Sequence, residues 1–133
     1  MTISHQLLLT LFPQLYAIAR FSPQERIVVD YAHSSFFSLT KTNDELSVVC
    51  EQKDLPSGVR SERDRRLLRV ESVITFELTG VLCALAVPLA AADISIFAVS
   101  SYDTDYLLIA NRDIEPAIVV LENAGHKVQR SPS

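Results

Sequence analysis

Residues Ile94 to Ala110 read ISIFAVSSYDTDYLLIA. An apolar run to Val99 gives way to Ser100-Ser101-Tyr102-Asp103-Thr104-Asp105, and a second apolar run continues to Ala110. Two β-prone runs joined by turn formers predict a strand–turn–strand. Upstream, Thr79 and Gly80 open an uncharged segment whose length and alanine content predict a helix ending at Asp93. Pro88 removes a backbone donor inside it, so the helix should bend or tighten near Ala84. Leu67 to Phe76 precedes it as a strand. Downstream, Asp113 suits an N-cap, Pro116 sits in a first turn and Gly125 supplies a stop. Ile114, Ala117, Ile118 and Leu121 fall on one face of that helix, and His126 to Gln129 follow as a short strand. The order strand, helix, strand, strand, helix, strand is ferredoxin-like: an α+β fold with an antiparallel sheet and two helices on one face.

The first part of the chain is less regular. Gln6 to Phe12 and Leu15 to Phe21 read as strands broken by Pro13, and Ser22 to Ser35 as a loop. Phe36 to Thr42 and Glu45 to Cys50 form a hairpin around Asn43-Asp44. Glu51 to Arg66 is polar, carries Pro56 and Gly58, and reads as a linker. Phe36–Cys50 aligns without a gap on Ile96–Ala110, sixty residues later, pairing Thr40 with Ser100, Asn43 with Asp103 and Glu45 with Asp105. A hairpin duplicated in this way predicts two related halves. Residues 1–60 form the first, with reduced helices, and residues 61–133 the complete second.

Bulk composition narrows the function. At 133 residues, 48% hydrophobic and 21% charged, the chain can bury a core. A net charge of −4 argues against a nucleic-acid partner, which needs a basic surplus. Cys50 and Cys83 lie in separate apolar segments and read as reduced core residues, not a disulfide framework. Leu7 to Phe12 is short and lacks the preceding basic residues of a secretory signal. Leu78 to Ala92 falls short of the ~20 residues that cross a bilayer. A cytoplasmic, non-membrane protein is expected.

Two elements could carry chemistry. At the turn, three hydroxyls, a phenol and two carboxylates crowd into Ser100, Ser101, Tyr102, Asp103, Thr104 and Asp105. Asp103 and Asp105 could simply shape the connection, because aspartate is a common turn former. At the helix start, Thr79-Gly80-Val81 presents backbone N–H groups without internal partners, and the helix dipole favours an anion there. Gly80 equally eases a strand-to-helix turn. Together the two elements suit a free amino acid: its carboxylate at the helix start, its amine or a cationic side chain at Asp103 or Asp105. His5, His33 and His126 show no metal-ligand spacing, and no histidine or lysine near Ser100–Asp105 could act as a base, so neither a metal, a cofactor nor catalysis is expected. The arginines from Arg60 to Arg69 alternate with acids and read as a solvated face. With no charge from Leu78 to Ala92, that helix needs a second apolar surface, and a homodimer supplies one.

LTGVLCALAVPLAAADISIFAVSSYDTDYLLI (Leu78–Ile109) resembles small tandem ACT-domain proteins. The resemblance rests on Thr79-Gly80, on the helix ending Pro88-Leu89-Ala90-Ala91-Ala92, and on the Tyr-Asp-Thr-Asp-Tyr turn. Phe36 to Cys50, Leu55-Pro56 and Ala124-Gly125-His126 are similar to that group as well. The motif also resembles the CASTOR-type arginine sensors, which look like two such tandem units joined. The resemblance implies an amino-acid ligand at an ACT–ACT contact. It also implies ligand contacts at Gly80 and Asp105, with the backbone of Ser100 to Tyr102 alongside. The chain is half a sensor's length, so the resemblance implies that a homodimer completes the pocket. The expected function is therefore a non-catalytic sensor with a possible protein partner. The alternative is an accessory subunit that uses the apolar helix for assembly alone.

Overall fold

The computed structural model describes residues 6–27, 31–71 and 80–132. In chain order the strands are β1 (Leu8–Leu11), β2 (Tyr16–Phe21), β3 (Ser38–Lys41), β4 (Leu46–Glu51) and β5 (Ser61–Val70). Then come α1 (Val81–Ala91), β6 (Phe97–Ser100), β7 (Asp105–Ala110), α2 (Ile114–Asn123) and β8 (Lys127–Arg130). The chain forms two units, Gln14–Arg65 and Met1–Pro13 with Arg66–Ser133.

The smaller unit is an antiparallel sheet in the order β3-β4-β2-β5, using the first residues of β5. Ala17 and Ala19 of β2 and Val48 and Cys50 of β4 alternate inward, as period-2 pleating requires, and close a core with Leu55. Phe21, Ile27, Phe37 and Val59 pack against it. Its described residues contain 3-10 turns at Tyr31–His33 and Gln52–Asp54 and no α-helix. Glu51 is buried yet well provided for: its Oε2 accepts from the Ser35 backbone N–H (2.8 Å) and hydroxyl (3.1 Å). The Ser35 hydroxyl in turn meets the Tyr16 phenol at 2.7 Å. A buried acid so surrounded locks the loop around Ser35 onto β4.

One expectation fails here. The polar linker read over Glu51–Arg66 is in fact partly strand, since β5 starts at Ser61 and Ser61 to Arg65 pair with β2. Charged Ser-Glu-Arg-Asp-Arg is a poor strand former by propensity, and cross-strand pairing overrides it. The register between β2 and β5 shifts between Tyr16 and Ile18, which marks a bulge. Asp64 takes the extra residue's conformation, φ 59°, and is held by Gln52, whose Nε2 donates to Asp64 Oδ1 (3.0 Å) while its Oε1 accepts the Asp64 N–H.

The larger unit has the sheet order β6-β7-β5-β1-β8. α1 contributes Val81, Leu85 and Leu89, and α2 contributes Ile114, Ala117, Ile118 and Leu121, to one core with Leu9, Leu11, Leu68, Val70, Leu107 and Ile109. Both helices therefore cover the same face of the sheet, in the α+β, ACT-type arrangement. The opposite side of α1 leaves Leu82, Cys83 and Val87 exposed.

Two corrections concern the N-terminal strand. It does not belong with residues 14–60, as the division at 60/61 supposed, but pairs with Leu68–Val70 and with β8. Leu7, Leu9 and Leu11 alternate into the larger core, and that burial decides where the strand docks. The sheet is also not wholly antiparallel, because β1 and β8 run parallel, Leu8 opposite Lys127 through Leu11 opposite Arg130. The strand expected to reach Phe76 ends at Val70 among the described residues, and 72–76 lie outside them.

Candidate functional site

The β6–β7 hairpin has four ladder pairs, from Phe97–Leu108 to Ser100–Asp105. The Ser101 N–H donates to the Thr104 carbonyl (2.8 Å), and the Ser101 hydroxyl also contacts that carbonyl (3.1 Å) and the Thr104 N–H (3.3 Å). Ser101 and Thr104 are therefore architectural. Thr104 was not among the expected site residues; its hydroxyl donates to the Val70 carbonyl (2.7 Å) and fixes the turn beside the end of β5. A threonine between two aspartates was its only sequence signal.

Comparison with the first hairpin separates turn-making from the rest. There, the Thr42 N–H donates to the Glu45 carbonyl (2.9 Å) and the Thr42 hydroxyl accepts the Asp44 and Glu45 N–H groups (3.1 Å each). Thr42 thus corresponds to Ser101 and Glu45 to Thr104, and every ladder pair of the two hairpins superposes at an offset of fifty-nine residues. The alignment at sixty is one residue out of register. It matched polarity along the turn, whereas pairing is fixed by which side chains enter the core. The consequence is chemical. Asp103 now matches Asp44, a turn position in both, whereas Asp105 matches Leu46, which is buried.

Asp105 is therefore the position where the second hairpin departs from the first. Its Oδ1 accepts the Ser100 hydroxyl at 2.6 Å, which orients the carboxylate, and Oδ2 has no partner among the described residues. It is half-buried, Asp103 is exposed, and Tyr102 at 82% exposure stands out from the turn.

At the other element, Gly80 occupies the N-cap of α1 with φ 82° and ψ 1°, a left-handed conformation that glycine adopts without strain. Its carbonyl accepts the Ala84 N–H (2.9 Å), and no side chain caps the helix start. Val81, by contrast, turns its side chain into the core, so only its backbone can face a ligand. Thr79 lies outside the described residues. Hydrogen bonds draw Ser100, Ser101, Thr104 and Asp105 into one cluster, and none of those described joins that cluster to Gly80 or Val81. Thr104 does place the turn next to Val70, on the strand that precedes Gly80 in the chain.

Among the described residues, no three His, Cys, Asp or Glu side chains lie close enough to hold a metal ion. None of the described helices is long and apolar enough to cross a membrane. Cys50 and Cys83 are both unpaired.

An α+β unit with two helices on one sheet face, a glycine-capped helix start and a polar hairpin tip defines a ferredoxin-like domain. Residues 60–123 match the family model described as ACT domain, and residues 14–58 match a second model, of an N-terminal domain. The chain thus contains an ACT domain. The Homo sapiens protein CASTOR3P is 28% identical over 114 residues, covering 73% of this chain and 70% of its own. The solved structure of protein Atu0741 from Agobacterium tumefaciens is 32% identical, with a TM-score of 0.90 over 97% of this chain and 96% of that one. The regulatory subunit of aspartate kinase from Thermus thermophilus shares the fold: TM-score 0.60, 10% identity, 92% of this chain and 99% of that one.

Proposed function

We propose that this chain is a non-catalytic regulatory module that binds an amino acid, or a zwitterion of similar size, at the start of α1 and the β6–β7 turn. Asp105 carries the reading. It places a carboxylate, with one oxygen unpartnered among the described residues, where the duplicate hairpin has a buried leucine. That exchange gains nothing for packing and suits an ammonium group through a charge-assisted hydrogen bond. The free N–H groups behind Gly80 suit the ligand carboxylate, and the missing Cβ admits it closely. Ser100 to Tyr102 line the approach, with Thr79 next to Gly80 in the chain. Asp103 is assigned to the turn.

The same reading takes the protein to be a homodimer in which a second copy completes the pocket and covers Leu82 and Val87, exposed on an uncharged helix. A ligand that favours one arrangement of ACT units over another shifts that population and so signals. The two unpaired thiols support a reducing compartment such as the cytoplasm. The exposed apolar face of α1 equally favours a second reading, an accessory subunit that assembles with a larger protein and has no ligand of its own.

Thermal melting against each of the twenty amino acids decides between them. A ligand at ~100 times its dissociation constant adds about 2.7 kcal/mol, a shift of several degrees for a chain this size. A shift with one amino acid supports the sensor; no shift with any of them leaves the assembly reading.

A further inference from the structure

His126 is a buried imidazole that the proposed ligand site does not use; it is 4% exposed and linked at both nitrogens. Nδ1 lies 3.1 Å from the Leu7 backbone nitrogen, and Nε2 lies 3.2 Å from the Ala84 carbonyl oxygen. The Leu7 N–H can only donate, so Nδ1 is bare and the ring proton sits on Nε2, facing the carbonyl. Both contacts are then satisfied by a single neutral tautomer.

The Ala84 carbonyl needs that proton for a reason written in the sequence. Its helical donor would be the N–H of residue 88, and residue 88 is proline. The carbonyl that Pro88 leaves open at Ala84, where the sequence predicts a bend or a tightening, is thus satisfied from outside the helix. His126 is aimed there by the end of α2: the Gly125 N–H donates to Glu122 (3.0 Å) and the His126 N–H to Leu121 (3.1 Å), with Gly125 at φ 98°. This is a Schellman ending, which turns the next side chain inward. Leu7 is held twice, since its carbonyl accepts the Lys127 N–H (2.9 Å). One turn up the helix, the N–H of the same Ala84 bonds Gly80.

From this geometry we propose that His126 is a positioning residue that couples the N-terminal strand to the first turn of α1. It substitutes for the hydrogen bond that Pro88 removes and thereby sets the Gly80–Val81 amides. Strand docking and the conformation of the helix start are linked through one ring, so a ligand at that start also tightens the strand, and the reverse. The ligand part of this statement rests on the function proposed above; the coupling does not.

The two arms can be cut separately in the full chain. His126→Asn keeps an acceptor near Nδ1 but cannot reach Ala84, and His126→Gln keeps a donor near Nε2 but not the Leu7 acceptor. Pro88→Ala returns to Ala84 its own helical donor. In native-state amide exchange, H126N should speed the Ala84 amide about three- to tenfold, as one net hydrogen bond allows, and leave Leu7 protected. H126Q should do the opposite. The double variant H126N/P88A should restore Ala84 to within about twofold of the parent. Equal loss of protection throughout the unit in both single variants, or no rescue by P88A, would overturn the proposal. If H126N does not fold, the double variant must fold, and its failure overturns the proposal as well. Melting with the twenty amino acids on the same variants reads the ligand arm. Any shift seen for the parent should be lost in H126N and regained in the double. A parent that shifts with none sinks the function proposed above and leaves the exchange result to decide the coupling.

Discussion

Individual side chains divide into those that build the fold and those that depart from it. Cys50 is fully buried, and burial, with the nearby Asp54 charge, pushes its thiol up to about 11. Cys83 is exposed on α1. A thiol reagent at pH 8 should therefore label one site per native chain, Cys83, and two only after denaturation; native labelling of Cys50 would contradict the packing. Burial raises the Glu71 carboxyl, but hydrogen bonds from Thr10 and Arg69 and the Arg69 charge outweigh it and leave it below its ordinary value. A depressed carboxyl contributes stability that is complete above the unfolded value of about 4.3 and is lost as pH falls through the folded value. Glu71→Gln should thus lower stability slightly at pH 7, by under about 1 kcal/mol for a partly exposed ion pair, and flatten the loss of Tm below about pH 4. Residue roles were only partly legible in the sequence. Asp103 and Asp105 look alike as letters, and they separate only once the hairpin register shows that Asp44 matches one and Leu46 the other.

At the scale of elements, α1 gathers the most consequences. Gly80 at φ 82° makes Gly80→Ala a strain on the backbone as well as on the ligand approach; it should cost about 1 kcal/mol and lower Tm by a few degrees. Leu85→Ala, at a fully buried position facing the sheet, should cost about 2–5 kcal/mol in denaturant unfolding. A Leu85→Ala cost close to zero would mean that α1 is not docked as described. Both helices were readable because their signals are local: apolar spacing, alanine content, and Asp93 and Gly125 as stops. The α2 start was readable in position only, since Asp113 occupies the N-cap without a side-chain cap bond. β5 was not readable before Leu67, because Ser61 to Arg65 gain strand geometry from pairing across to β2 and from the Gln52–Asp64 clamp. No local preference announces that.

For the whole molecule, the lesson lies in the N-terminal strand. Sequence proximity assigns β1 to the following strands, yet Leu9 and Leu11 complete the core of residues 66–133. A fragment of residues 61–133 should therefore fail to melt cooperatively by circular dichroism, while one that keeps the missing strand by fusion should recover; an independently stable fragment would contradict this placement. The duplicated hairpin also provides an internal control for the ligand site. In a titration of the isotope-labelled full chain with the pooled twenty amino acids, the amide signals of Gly80, Val81 and Ser100–Asp105 should move, while those of Thr42–Leu46 in the matching turn stay in place. Equal movement in both turns, or none in either, would contradict an amino-acid site built on Gly80 and Asp105.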